Sequence, residues 1–287
     1  MTGSSEIALI ICQSGAGDRN SRAMIGARLL GEALAARIGV QPAMLGQVTA
    51  PVGGTWQQEL AAARPNLRVL AETLESALGA QRTALTTFSR CAVALATLPV
   101  VAKHRPDACV VWFDAHGDIN TPETTKSGYL GGMVITGAAG RWDTGLGGGL
   151  DLADVVLVGA RDLDPAERDL IAAGAPRLVS MGPNLAERLG AAIADRPIYV
   201  HLDCDVMEAG LVATEFRVPG GLTWDDFHAA CSVIARNEVV GLEIAELEAT
   251  PDRQADETSI APLVDALQPL IAAVTRNARV GGSSGTL

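Results

Sequence analysis

Hydrophobic positions fall along the chain in two alternating rhythms. Short runs dense in Ile, Val and Leu, at 6–12, 40–45, 83–88, 108–114, 154–160, 177–180, 197–203 and 238–245, read as β strands. Between them, apolar residues recur every three or four positions at 20–38, 54–79, 91–104, 164–173, 184–195 and 224–236, with a last such segment near 259–275, and these read as amphipathic helices. A parallel crossover needs a connection of about a dozen residues, and the helices supply it. The alternation therefore predicts a three-layer α/β/α fold built on a mostly parallel eight-stranded sheet. No repeat or linker interrupts it, and the Gly-rich "TGLGGGL" at 144–150 is short. One domain over 1–280 is expected, with "GGSSGTL" at 281–287 as a mobile tail.

Composition narrows the picture. Of the 287 residues 48% are hydrophobic and only 3% aromatic, which suits helices packed closely on a sheet and excludes a disordered chain. The net charge of -11 argues against nucleic acid, whose phosphates need clustered Lys and Arg, and favours a small cationic substrate. No apolar run approaches the ~20 residues of a membrane span, and "MTGSSEIALIICQ" lacks the basic start of a secretion signal, so a cytoplasmic location without membrane partners is expected. Cys12, Cys91, Cys109, Cys204 and Cys231 have no paired spacing and read as reduced thiols. "SGAGD" at 14–18 lacks the spacing and the Lys of a phosphate loop.

The polar residues that change the picture sit at strand ends, where ligands bind in open α/β sheets. Asp114, His116 and Asp118 follow the fourth strand at a spacing of two, which in extended backbone points all three to one side. Asp203 and Asp205 end the seventh strand at the same spacing, and Glu246 ends the eighth. Each alone is ordinary turn or cap chemistry. Gathered in one cleft, they repel one another unless cations are present, and two divalent ions balance four carboxylates. Oxygen-rich ligation with one imidazole favours Mn(II) over Zn.

These motifs resemble the arginase (ureohydrolase) family: "DAHGDIN" its D-A-H-x-D-x-N, "LDCDV" its D-x-D, "PGGLTWDD" its P-x-x-G-G-L segment and "EIAELEA" its E-V-N-P segment. The resemblance implies a binuclear manganese site and hydrolysis of a guanidino group to urea and an amine. It further implies that Asp114 and Asp203 bridge the ions, that His116 and Asp205 complete one shell and that Asp118 serves the other. Water made reactive by the cations would attack the guanidino carbon, Asp118 would carry a proton to the leaving amine, and Glu246 would pair with the guanidinium. The positions matching the amino-acid grip are Asn120 and Ser127 for a carboxylate and Asp164 for an ammonium, although Asp164 before Pro165 is also a natural helix cap. A trimer or hexamer is implied as well.

Two positions break the pattern. Cys91, in "TTFSRCAVALATLPVV", stands where the family supplies a further histidine ligand, and is either a thiolate ligand or a buried neutral thiol at a helix start. Gly131, in "SGYLGGM", stands where arginases carry a proton-shuttling histidine. Both weaken the ordinary reaction. "CAVALATLPVVA" and "NTPETTKSGYLGGM" resemble the branch of the family that hydrolyses Nω-hydroxy-L-arginine in D-cycloserine assembly, releasing hydroxyurea and ornithine. The reading is thus a manganese hydrolase of Nω-hydroxy-L-arginine with weaker action on L-arginine. Its alternatives are an ordinary arginase, a hydrolase of another guanidino or amide compound, and a binding protein with a decayed metal site. His201 is expected behind the site, and His104 and His228 on the surface.

Overall fold

The computed structural model describes residues 6–281. Eight strands, β1 (Ile7–Cys12), β2 (Ala43–Leu45), β3 (Thr83–Phe88), β4 (Cys109–Phe113), β5 (Val155–Val158), β6 (Arg177–Val179), β7 (Ile198–Asp203) and β8 (Val239–Ala245), form one sheet in the order β2-β1-β3-β8-β7-β4-β5-β6. Every pairing is parallel. The central strands are buried along their whole length, as parallel strands covered on both faces must be, and the three-residue edge strand β2 is largely exposed.

The helices are α1 (Arg22–Ile38), α2 (Trp56–Gly79), α3 (Ala94–His104), α4 (Val134–Ala138), α5 (Pro165–Ala172), α6 (Leu185–Ile193), α7 (Trp224–Ile234), α8 (Arg253–Ala266) and α9 (Gln268–Gly281). Leu30 and Leu34 of α1, Leu189 of α6, Phe227 of α7 and Leu270 of α9 pack on one face against Ile7, Leu85, Val111 and Val200. Leu67 and Leu70 of α2, Leu95 and Leu98 of α3 and Ile135 of α4 pack on the other, against Ile10, Ala84 and Trp112. Gly31 lets α1 lie close to the sheet, since a Cβ there would come within 2.4 Å of Ile11.

The expected three-layer architecture and eight parallel strands are present. The differences lie at element ends. The single last helix expected at 259–275 is two, α8 and α9, because Pro269 offers no amide hydrogen to continue the ladder; the two axes bend by 54°. α4 was not anticipated, being a single short turn with no periodicity to read. α9 runs to Gly281, the first residue of the expected tail, and 282–287 lie outside the described residues. Among the described residues no single helix is long and apolar enough to cross a membrane.

Candidate active site

The strand order decides the site. β3, β8, β7 and β4 are consecutive neighbours, so the turns leaving their carboxyl ends bring Cys91, Glu246, Asp203 with Asp205, and Asp114 with His116 and Asp118 to one rim of the sheet. The backbone there is not the extended chain the spacing suggested. β4 stops at Phe113, and Asp118 adopts φ 53°, in the left-handed region, so a turn and not a strand aims its carboxylate inward. Asp203 ends β7 and Asp205 lies in the 3-10 turn Cys204–Val206, its amide donating to Asp203 Oδ1 at 2.7 Å. Glu246 too has a positive φ, 68°.

Several hydrogen bonds fix these acids. Trp112 Nε1 donates to Asp114 Oδ2 at 3.0 Å, the His116 amide to Asp114 Oδ1 at 2.6 Å, and the Ala115 amide to Asp205 Oδ1 at 3.0 Å. His116 Nδ1 lies 3.2 Å from both Asp114 Oδ1 and Asp205 Oδ2. Glu167 of α5 accepts from the Ile119 amide at 3.2 Å, and Gly117 passes so close that a Cβ there would sit 2.6 Å from Glu167 Oε1. The acid-bearing turn is thereby anchored to α5.

Beneath the rim, Trp112, His201 and Glu243 form a row across β4, β7 and β8, each directly opposite the next. His201 stacks on Trp112 at 3.4 Å between ring centroids, its Nδ1 lies 2.7 Å from Glu243 Oε1, and its Nε2 lies 3.2 Å from Cys91 Sγ. Glu243 Oε2 accepts from the hydroxyls of Tyr199 and Thr97, each at 2.6 Å. The Cys91 thiol donates to Asp203 Oδ2 at 3.1 Å.

Charge crowding marks this cluster. Burial, with neighbouring carboxylates adding to it, pushes Asp118 and Asp203 well up, and burial and Asp114 likewise raise Asp205. Burial also lifts Asp114, but its hydrogen bonds and contact with His116 outweigh this and hold it below the usual range. Burial opposes a charge on His116, yet Asp114 and Asp205 raise it to about 12, so a proton there stands in for a cation. Burial and the surrounding acids push the Cys91 thiol well up. Such mutual repulsion is what a bound dication relieves. Three sets of donor atoms lie within 4.8 Å of one another, namely Asp114, His116 and Asp205; Cys91, Asp114 and Asp118; and Cys91, Asp203 and Glu246. Asp114 is shared between the first two sets and Cys91 between the last two, while Asp203 falls in the third alone. Asp205 Oδ2 is buried and accepts no hydrogen bond among the described residues. The donor set therefore fits two divalent cations.

A cleft of about 290 Å³ opens over the cluster. Buried Cys91, Asp118, Asp203 and Glu246 line its inner part, while Ser127 and Asp164, with Tyr129, Phe216 and Arg19, line it towards solvent. Asn120 is buried and its side-chain amide donates to Asp164 Oδ2 at 3.2 Å. Asp164 is also the N-cap of α5, so its ordinary structural duty is real whatever else it binds. Of the other histidines, His228 is exposed as expected, but His104 is half-buried, 3.5 Å from Glu75.

Sequence reasoning missed Arg90. Its side chain is fully buried, with Nη1 2.6 Å from Glu246 Oε2, Nη2 2.7 Å from both Glu215 and Glu248, and Nε 3.4 Å from Asp18. The signal was there: a lone cation in the apolar run "FSRCAVALA" must meet acids inside the fold. Glu246 already has partners within the fold, since Arg90 holds Oε2 and the Cys91 amide donates to Oε1 at 3.0 Å.

A parallel sheet with buried acids gathered at the ends of its central strands defines an α/β enzyme suited to work through divalent cations. Residues 43–268 match the arginase family. The chain is 37% identical over 263 residues to the N(omega)-hydroxy-L-arginine amidinohydrolase of Streptomyces lavendulae, covering 92% of this chain and 96% of that protein. It is 31% identical to Arginase, non-hepatic 1, of Xenopus laevis, over 66% of this chain and 61% of that one. The crystal structure of arginase from Bacillus cereus superposes with a TM-score of 0.78 at 25% identity, covering 91% of this chain and 97% of that chain. The chain belongs to the arginase family and is a ureohydrolase-type hydrolase acting on linear amidines.

Proposed function

We propose that this protein is a manganese-dependent amidinohydrolase that converts Nω-hydroxy-L-arginine to hydroxyurea and L-ornithine and acts more weakly on L-arginine. The observation that carries the reading is a single cleft lined by buried acids at its inner end and by Asn120, Ser127 and Asp164 along its wall, in a chain similar along 92% of its length to a hydroxyarginine amidinohydrolase. Two manganese ions, held by Asp114, Asp203, Asp205, His116, Asp118 and Cys91, would supply Lewis acidity and make water reactive near neutral pH.

The chain's own residues do the rest. Asn120 and Ser127 offer hydrogen bonds to the substrate carboxylate, and Asp164 a negative charge to its ammonium. The guanidino end reaches Glu246, which orients it. Asp118, buried at the inner end of the cleft, takes up the proton that the attacking water loses and passes it to the departing δ-amine. An N-hydroxyguanidine is less basic than a guanidinium, because its oxygen withdraws electron density, so more of it is neutral and open to attack. That tolerates the loss of imidazoles at Cys91 and Gly131. Assembly as a trimer or hexamer completes the proposal, and sedimentation would read it.

Quantifying hydroxyurea and urea released by manganese-loaded protein from the two amino acids tests the reading. Faster release of hydroxyurea supports it, and a preference for plain arginine removes it. Release of neither, with fewer than two manganese per chain, would leave a binding protein instead.

A further inference from the structure

We propose that Arg90 is a specificity-determining residue: a permanent guanidinium held against Glu246 from beneath the cleft makes that carboxylate a partner for an uncharged guanidine and a poor one for a cationic guanidine. The inference rests on the hydroxyarginine reading above and names the residue that would enforce it.

Charge pairing around Arg90 is the basis. Four acids surround it, but two have another cation: Glu248 pairs with Arg22 at 2.7 Å and Glu215 with Arg19 at 3.3 Å. A third, Asp18, accepts the Ser89 hydroxyl at 2.9 Å and the Ala16 amide at 2.8 Å, and its Oδ1 lies 3.4 Å from Arg90 Nε without a hydrogen bond, the loosest of the four contacts. Glu246 has no ion-pair partner but Arg90 among the described residues, at 2.6 Å. Arginine does not give up its proton inside proteins. Seen from the cleft, then, Glu246 and Arg90 are a dipole and not a net negative charge.

A substrate guanidinium brought to Glu246 would share one carboxylate with a resident guanidinium, in a buried setting where like charges are poorly screened. A neutral N-hydroxyguanidine escapes that repulsion. It still finds acceptors, because each carboxylate oxygen has a second lone-pair site beyond the bonds from Arg90 and the Cys91 amide.

The charge effect can be read without turnover. L-Citrulline carries an uncharged urea in the shape of arginine's guanidinium, so calorimetric titration of manganese-loaded protein with each compares charge at constant shape. Citrulline is expected to bind at least as tightly as arginine; arginine binding tenfold or more tightly overturns the proposal. In Arg90→Gln and Arg90→Met the preference should swing towards arginine by tenfold or more, in both binding and the kcat/KM ratio of hydroxyarginine to arginine. An unchanged ratio in a folded variant also overturns it, and if neither variant folds the wild-type titration decides alone. Faster turnover of arginine with citrulline still the tighter ligand would defeat the substrate reading while leaving Arg90's effect in place.

Discussion

Replacing Glu243 by leucine and by glutamine separates two roles of the buried row beneath the cluster. Glu243 is fully buried and a carboxylate only accepts, so Tyr199 OH, Thr97 OH and His201 Nδ1 all donate to it. Leucine removes the acceptor from all three. Thr97 keeps an alternative in the Ala94 carbonyl at 3.3 Å, leaving the tyrosine hydroxyl and the imidazole as orphans. At about 1–3 kcal/mol for each buried unsatisfied group, Glu243→Leu should lose about 4 kcal/mol. Glutamine keeps an acceptor for the two hydroxyls and turns an amide towards His201, whose proton must then move to Nε2, facing Cys91. Losing only the charge-assisted part, Glu243→Gln should cost about 1 kcal/mol. In thermal melts, at about 2–4 °C per kcal/mol, leucine should lower Tm by roughly 10 °C and glutamine by a few degrees. Histidine nitrogen NMR should show the proton moving between ring nitrogens. A leucine variant within about 1 kcal/mol of the parent, or a glutamine variant as damaged as the leucine one, would refute the network.

Further outcomes follow from the site. Cys91→Ala should lower manganese below two per chain by atomic absorption if the thiol is a ligand, and full retention would make it a bystander. Asp164→Asn keeps a good helix cap but loses the charge, so KM should rise about tenfold or more with kcat and Tm little changed; an unchanged KM would dismiss the ammonium contact. Asp118, Asp203 and Asp205 have folded pKa values raised above 3.8, so in metal-free protein their neutral forms add stability below about pH 3.8 that is lost as pH climbs through the folded values. Manganese demands the charged forms, so stripping it with a chelator should lower Tm more at pH ~8 than at pH ~5, and an equal drop at both would contradict the charge-crowding account.

The sequence by itself determined the alternation of strands and helices, the sheet's parallel character and the residues at the carboxyl ends of β4, β7 and β8, because periodicity and spacing are local and the crossover rule is general. It also set the acids of "DAHGDIN" and "LDCDV" at the ends of two strands. Tertiary structure alone decided that β8 inserts between β3 and β7, and that insertion carries Glu246 to Cys91 and Arg90. No periodicity encodes which strands become neighbours. The turn at Asp118, the row Trp112–His201–Glu243 and the sharing of Arg90 among four acids are likewise distance effects between residues remote in the chain. A buried charge must find its partner wherever the fold places one, so local pattern could show that Arg90 needed acids but not which.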